Sequence, residues 1–149
     1  MQGENPANDG LLLISVKDRP RLLLEMMHAL RGEGTKVSLE GYLADAELVA
    51  LPGASTEETT VLKRATLSPR LDFLVLPLDE KTEPSIAKAI RSRIPFKDGR
   101  GIIHAQIEGG GEIIFAAYDS FHHCHVKRSA IAPALVSHLT EKRNLRASQ

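Results

Sequence analysis

The chain has 149 residues, with 19 basic and 19 acidic side chains, so its formal net charge is zero. A dedicated nucleic-acid-binding protein usually has a basic excess, and we therefore expect no nucleic-acid partner. Hydrophobic residues make up 42% of the chain and charged residues 26%, a composition typical of globular proteins. At this length a single domain can bury a core without disulfides or a metal.

The single cysteine and the N-terminal residues indicate the cellular compartment and the start of the folded domain. Cys124 is the single cysteine, which excludes an intramolecular disulfide and fits a reducing compartment. Residues 1–10 are polar, and the apolar run that follows is too short for a signal core or a membrane span. We predict a cytoplasmic protein without membrane association, with a disordered tail over residues 1–10 and one α+β domain over residues 11–149.

Residues 11–43 predict a strand, a helix and a second strand. Leu11–Val16 is a continuous apolar run, as in a strand buried on both faces. Pro20 suits the first turn of a helix, and Gly32 and Gly34 end it. Residues 37–43 alternate between apolar and polar side chains, which predicts a half-buried strand. The helix has one apolar stripe at helical spacing, formed by Leu23, Met26, Met27 and Leu30.

Residues 44–70 interrupt this regular pattern and predict an insertion. Within it, Ala46–Leu51 fits either a strand or a helical turn, and Thr59–Leu67 fits a short strand. Beyond the insertion the sequence predicts, in order, a strand, a helix, a β-hairpin and a final helix, over Leu71–Leu78, residues 82–94, Ile102–Tyr118 and Ala132–Lys142.

The stretch from Val16 to Gly41 resembles the opening of an ACT domain, a small regulatory module. The matching residues are Asp18, Arg19, Pro20, Leu22 and Gly34, whereas Arg21 stands where the family favours glycine. The resemblance implies a ferredoxin-like βαββαβ sheet that binds an amino acid or similar effector. We therefore predict an α+β fold of four to six mostly antiparallel strands, with helices on one face. It would have an insertion after the second strand and an extra C-terminal strand and helix.

The turn before the first helix is the first candidate site. It comprises Lys17, Asp18, Arg19, Pro20 and Arg21. Backbone N–H groups at a helix N-terminus, together with two guanidinium groups, can hold a carboxylate or a phosphate. The alternative is local pairing, of Arg21 with the glutamate four residues on and of Arg19 with Asp18.

A run of histidines around Cys124 is the second candidate site. In an extended segment His123 and His125 share one face, and His104 lies on the preceding hairpin strand. Imidazole nitrogens are good zinc ligands, so these three histidines are candidate metal ligands. The alternatives are a surface turn entering the last helix, with packed or hydrogen-bonded imidazoles, and a Cys124 nucleophile activated by a neighbouring histidine.

These observations favour a non-enzymatic small-molecule-binding or regulatory module. Its expected partners are a small anionic ligand or an amino acid and a second copy of the chain in a homodimer, and we expect no cofactor. The alternative is a ligand-free structural or protein-interaction domain that dimerises through a sheet edge or the last helix. A metal-binding protein or an enzyme that uses the histidine-rich run is the third hypothesis.

Overall fold

The computed structural model describes residues 11–14, 18–43, 46–93, 96–97, 100–141 and 146–147. The predicted tail over residues 1–10 lies outside these ranges. The described residues form eight strands and four α-helices. In chain order these are β1 (Leu11–Ile14), α1 (Arg19–Leu30), β2 (Lys36–Gly41), α2 (Ala46–Val49), β3 (Asp72–Pro77), α3 (Glu83–Arg93), β4 (Phe96–Lys97), β5 (Arg100–Gly109), β6 (Glu112–Tyr118), β7 (His123–Lys127), α4 (Pro133–Glu141) and β8 (Arg146–Ala147).

The strands form one sheet in the order β3-β2-β5-β6-β7-β1-β8, and β4 pairs with the start of β5. All paired neighbours are antiparallel. The predicted α+β class is therefore confirmed. The strand order places β5, β6 and β7 between β1 and β2, so the two strands predicted to flank the first helix are parallel but not adjacent.

The first strand is covered on one face only, which corrects the prediction that both of its faces are buried. Leu12 and Ile14 are buried in the core, but Leu13 between them is 48% exposed. The physical reason is the position of β1 in the sheet, where it pairs with β7 and with the two-residue strand β8. An apolar run alone does not tell a central strand from one near the edge.

The helices cover one face of the sheet and form the main core with it. α1 buries its apolar stripe, as predicted, and Asp18 caps its N-terminus. Burying a leucine or methionine side chain completely stabilises a fold by about 1.5–3 kcal/mol. The largest fully buried side chains of this core are Leu12, Leu22, Leu23, Met26, Met27, Leu39, Leu48, Leu76, Leu78, Ile86 and Phe115.

The predicted insertion covers part of the opposite face of the sheet. Leu62 packs there with Phe73 and Val75 in a second apolar cluster. Ser55 forms an isolated bridge with Val75, so the insertion also pairs with the outer edge of β3. Of the two alternatives at residue 46, the helical turn is observed as α2.

Residues 59–67, predicted as a short strand, instead form an irregular segment held by side-chain hydrogen bonds. The Thr59 hydroxyl accepts from the backbone N–H groups of Val61 and Leu62. Glu58 accepts from the N–H of Arg64 in the same way. These side chains accept the backbone N–H groups that a strand would use to pair with its neighbour. The β propensity of the segment therefore does not produce a strand here.

None of the helices in the described ranges combines the length and the apolar composition that crossing a membrane requires.

Candidate functional site

The charged side chains at the start of α1 interact mainly with groups of the same helix. Asp18 is the N-cap residue, and its carboxylate accepts the N–H of Arg21 at 3.1 Å. The Arg21 guanidinium lies 3.9 Å from the Glu25 carboxylate in a partly exposed ion pair, and exposed pairs of this kind contribute at most about 1 kcal/mol. Pro20 lies in the first turn of the helix, and Lys17 falls outside the described residues. Arg21 is therefore paired with Glu25, as the alternative interpretation of this turn predicts.

The pairing of β1 with β7 brings the two predicted sites to the same end of the sheet. Ile14 lies opposite Cys124 in this pair, so the end of β1 lies beside the turn between β6 and β7. Burial raises the pKa of the Cys124 thiol to about 12, and the positive charge of Arg19 acts in the opposite direction. We call this region, comprising Asp18, Arg19 and residues 119–124, the turn end of the sheet.

Three consecutive residues of the β6–β7 turn adopt left-handed backbone conformations. Asp119, Ser120 and Phe121 have φ angles of 54°, 56° and 70°, a conformation that costs about 1–3 kcal/mol for each residue other than glycine. The Asp119 N–H donates to Nδ1 of His104 at 3.1 Å, and the Ser120 N–H donates to the carbonyl of Ile103 at 2.8 Å. Burial of Ser120 and Phe121 also offsets the strain.

The chain continues from this turn into a strand, which corrects the prediction of a surface turn that enters the last helix. Residues 123–127 form β7, with Cys124 and Val126 buried in the main core. Only two apolar side chains alternate with polar ones in this segment, and that pattern is too short to predict a strand. The strand is stabilised instead by its ladders to β6 and β1.

His104 is held on both of its ring nitrogens. A backbone N–H can only donate, so Nδ1 accepts from Asp119 and the proton of the neutral ring is on Nε2. Nε2 then donates to the Thr66 hydroxyl, 2.7 Å away. Since Nε2 already carries a proton, His104 cannot act as the base that would activate Thr66 as a nucleophile.

A buried carboxylate neighbours His104 on the next strand. Glu40 is 2% exposed and lies opposite His104 in the β2–β5 pair. Its two oxygens accept the backbone N–H groups of Ala65 and Thr66, at 2.7 and 3.2 Å. Sequence alternation along β2 placed Glu40 on the solvent side of the sheet, and the insertion buries that side. Sequence reasoning therefore missed this residue.

A second chain of hydrogen bonds crosses the same face of the sheet. The Ser38 hydroxyl donates to the Gln106 side-chain carbonyl at 3.1 Å, and the Gln106 amide donates to the Tyr118 hydroxyl at 2.8 Å. The ring of Tyr118 lies between those of His104 and His125, with centroid distances of 5.8 and 6.5 Å. Buried side-chain networks whose members are paired make an arrangement rigid and specific.

The three candidate metal ligands are not brought together. His123 and His125 do share one face of β7, but His123 is exposed and lies 3.7 Å from the Asp119 carboxylate. His125 is half-buried, and this burial lowers its pKa. His104 uses both nitrogens in the hydrogen bonds described above. Within the described ranges, no group of three or more His, Cys, Asp or Glu side chains is placed to hold a metal ion.

Cys124 has the properties of a buried structural thiol. Its Sγ donates a hydrogen bond to the carbonyl of Phe121 at 3.2 Å. With a pKa of about 12 the thiol remains protonated near neutral pH. The thiolate is the form that attacks electrophiles and binds metals, so this geometry does not favour a nucleophilic Cys124.

Comparisons with protein-family models, with curated proteins and with solved structures found no match. The function is therefore inferred from the geometry of the site, together with the short resemblance that residues 16–41 bear to ACT domains.

Proposed function

We propose that the chain is a non-enzymatic module that binds a small anionic molecule at the turn end of the sheet. The observation that carries this proposal is the position of Ile14 and Arg19 beside the β6–β7 turn, where Ile14 pairs with Cys124 and the charge of Arg19 acts on the Cys124 thiol. A guanidinium group is the side chain best suited to a carboxylate or a phosphate. Consecutive strained residues, as at Asp119–Phe121, occur most often at ligand-binding sites and switch regions.

Within the predicted motif the five residues take different roles in this proposal. The Asp18 carboxylate already accepts the Arg21 N–H, and so occupies the position an anionic ligand would take at the helix N-terminus. Arg21 is paired with Glu25, and Pro20 starts the helix. Arg19 is half-buried and its charge acts on the thiol of Cys124, so in this proposal its guanidinium group contributes positive charge to the binding of the ligand.

The protonation states of the candidate nucleophiles support the non-enzymatic part of the proposal. The Cys124 thiol stays protonated. Thr66 faces a histidine nitrogen that carries a proton rather than one that could accept it. Catalysis by either side chain would need a base to remove its proton.

The ferredoxin-like arrangement belongs to the same proposal. β3 and β5 are parallel, the connection between them contains α3, and β2 lies between them. This arrangement supports an interpretation as a split βαβ unit of the ferredoxin-like kind. β6 and β7 would then be additional strands inserted between this unit and β1. The ACT resemblance implies in addition a regulatory role and a homodimer.

A titration with small anions tests the proposal. We expect acetate, succinate or phosphate to raise the melting temperature, because a ligand at 100 times its Kd stabilises the folded state by about 2.7 kcal/mol. Arg19→Gln should abolish most of this shift, whereas Arg128→Gln, an exposed arginine elsewhere on the surface, should retain it. Light scattering in the same series should give twice the 16.3 kDa of one chain if the homodimer forms.

Two outcomes would contradict the anion site. One is a wild-type melting temperature that stays constant across carboxylates, phosphates and amino acids. The other is an equal loss of response in Arg19→Gln and Arg128→Gln, which would indicate general charge screening rather than a site.

A further inference from the structure

The outer edge of β3 is only partly covered by the insertion. The Ser55 N–H donates to the Val75 carbonyl at 2.9 Å, and the Val75 N–H donates to the Ser55 carbonyl at 2.7 Å. The backbone groups of Val75 therefore point away from β2. Residues two apart on a strand present these groups to the same edge, and the β2–β3 register is uninterrupted. The N–H and carbonyl of Phe73 therefore also point outward, and no backbone group of a described residue pairs with them there.

A cavity of about 340 Å³ lies at this open part of the edge. Its lining includes neighbouring residues from opposite faces of the sheet, since Phe73 belongs to the apolar cluster under the insertion and Leu74 to the main core. Thr56, which follows the paired Ser55, and Leu71, which precedes β3, also line it. The cavity therefore opens on the strand edge, between the Ser55 bridge and the start of the strand.

Two arginines bring positive charge to the Leu71 end of the cavity. The half-buried Arg64 donates from Nη1 to the Leu71 carbonyl at 2.6 Å, and its guanidinium lies 5.1 Å from the centre of the Phe73 ring. Arg70 directly precedes Leu71 and lines the same cavity. Within the described ranges, neither guanidinium group forms an ion pair with an acidic side chain. Two guanidinium groups in one cavity favour a carboxylate as their partner.

The wall of the cavity opposite the arginines is apolar. Leu43 and Val49 line it, and Val49 is 57% exposed, so an apolar group placed against it would be removed from water. The acidic lining residue, Asp72, is engaged, because its Oδ2 accepts the N–H of Leu43 at 3.0 Å. The cavity thus combines an outward-facing backbone pair, positive charge and an apolar wall.

We propose that this edge cavity binds the C-terminal end of a partner polypeptide whose last residue is aliphatic. The terminal carboxylate pairs with Arg64 and Arg70, the last peptide groups pair with the backbone of Phe73, and the last side chain packs on Val49. Addition of an extended peptide to a sheet edge is a general mode of recognition. Ser55 covers the neighbouring part of the edge, so a chain that ends in the cavity fits better than a strand that passes through it or a second copy paired edge to edge.

Fluorescence anisotropy with the full chain and a fluorescein-labelled hexapeptide that ends in Ser-Val-Leu tests the inference. We expect saturable binding of the peptide with a free C-terminal carboxylate. Binding should be at least about tenfold weaker when the C-terminus is amidated, or when the last peptide nitrogen is methylated and cannot donate to Phe73. Arg70→Gln, at an exposed position of the cavity, should weaken binding by a similar factor. Arg128→Gln, exposed and outside the cavity, should bind as the wild type does.

The controls separate this inference from the proposed function, which concerns the turn end. Absence of saturable binding by the wild type, or equal binding of the free, amidated and methylated peptides, overturns the edge site. Equal weakening in Arg70→Gln and Arg128→Gln also overturns it, because general charge attraction would then explain binding. Binding that is lost in Arg19→Gln but kept in Arg70→Gln places the carboxylate at the turn end instead. A dimer in light scattering that Val49→Glu converts to a monomer assigns the edge to a second copy and overturns the inference.

Discussion

His104 connects two segments that the sequence separates widely, residue 66 of the insertion and residue 119 of the β6–β7 turn. Its Nδ1 accepts from the Asp119 backbone and its Nε2 donates to Thr66. This arrangement requires the neutral ring, because a protonated ring would direct an N–H at the Asp119 N–H. The same side chain therefore holds the strained turn and fixes the insertion on the sheet.

Cys124 provides a prediction at the scale of one residue. Because burial raises its pKa to about 12, the native protein should react with iodoacetamide at about pH 8 far more slowly than a free thiol. Mass spectrometry should show little labelling until urea unfolds the chain. The variant Ser129→Cys adds a thiol at an exposed position shortly after β7, and this new thiol should be labelled rapidly. Rapid native labelling of Cys124 would instead indicate an activated thiolate.

At the scale of elements, the insertion acts as a cover for the polar face of the sheet. Leu62 buries itself against Phe73 and Val75, and Arg64 lies over the Phe73 ring with its guanidinium 5.1 Å from the centroid. Glu40 connects this cover to β2 through two backbone N–H groups. The polar residues of β2 and β5 are thus buried by a segment without regular structure.

Glu40→Gln tests this connection. An amide has one acceptor oxygen in place of two, so one N–H, of Ala65 or Thr66, would be left without a partner. We expect a loss of about 1–3 kcal/mol in the free energy of unfolding, measured in urea, and faster tryptic cleavage after Lys63 and Arg64. Glu57→Gln, at an exposed position of the same segment, should change neither. Unchanged stability and cleavage in Glu40→Gln would show that the apolar cluster alone holds the insertion.

At the scale of the whole molecule, the sequence predicted what local patterns determine. The apolar stripe of α1, the helix α3 and the hairpin of β5 and β6 all lie where the sequence pattern predicts them. These elements depend on neighbours a few residues away. The α+β class follows from their order.

The parts that the sequence did not predict depend on contacts between distant segments. The opposition of Ile14 and Cys124 across more than 100 residues creates β7 and joins the two candidate sites. The left-handed turn at residues 119–121 contains no glycine, and of its three residues only Asp119 is of a type that adopts positive φ with some frequency. Glu40 is buried by a segment whose structure rests on side-chain hydrogen bonds. Periodicity carries no information about any of these.

The half-buried His125 gives the fold an acid-sensitive component. Burial lowers its pKa from the ordinary value of 6.5, so the unfolded chain takes up a proton more readily than the folded one. Its contribution to stability is present above about pH 6.5 and is lost as the pH falls from there through the lower pKa of the folded state. Urea unfolding from about pH 7.5 to about pH 5 should therefore show a falling free energy of unfolding, with a shallower fall in His125→Gln. The exposed His123, on the same face of β7, provides the matched control: if His123→Gln flattened the profile as much as His125→Gln does, burial of the ring would not be the cause.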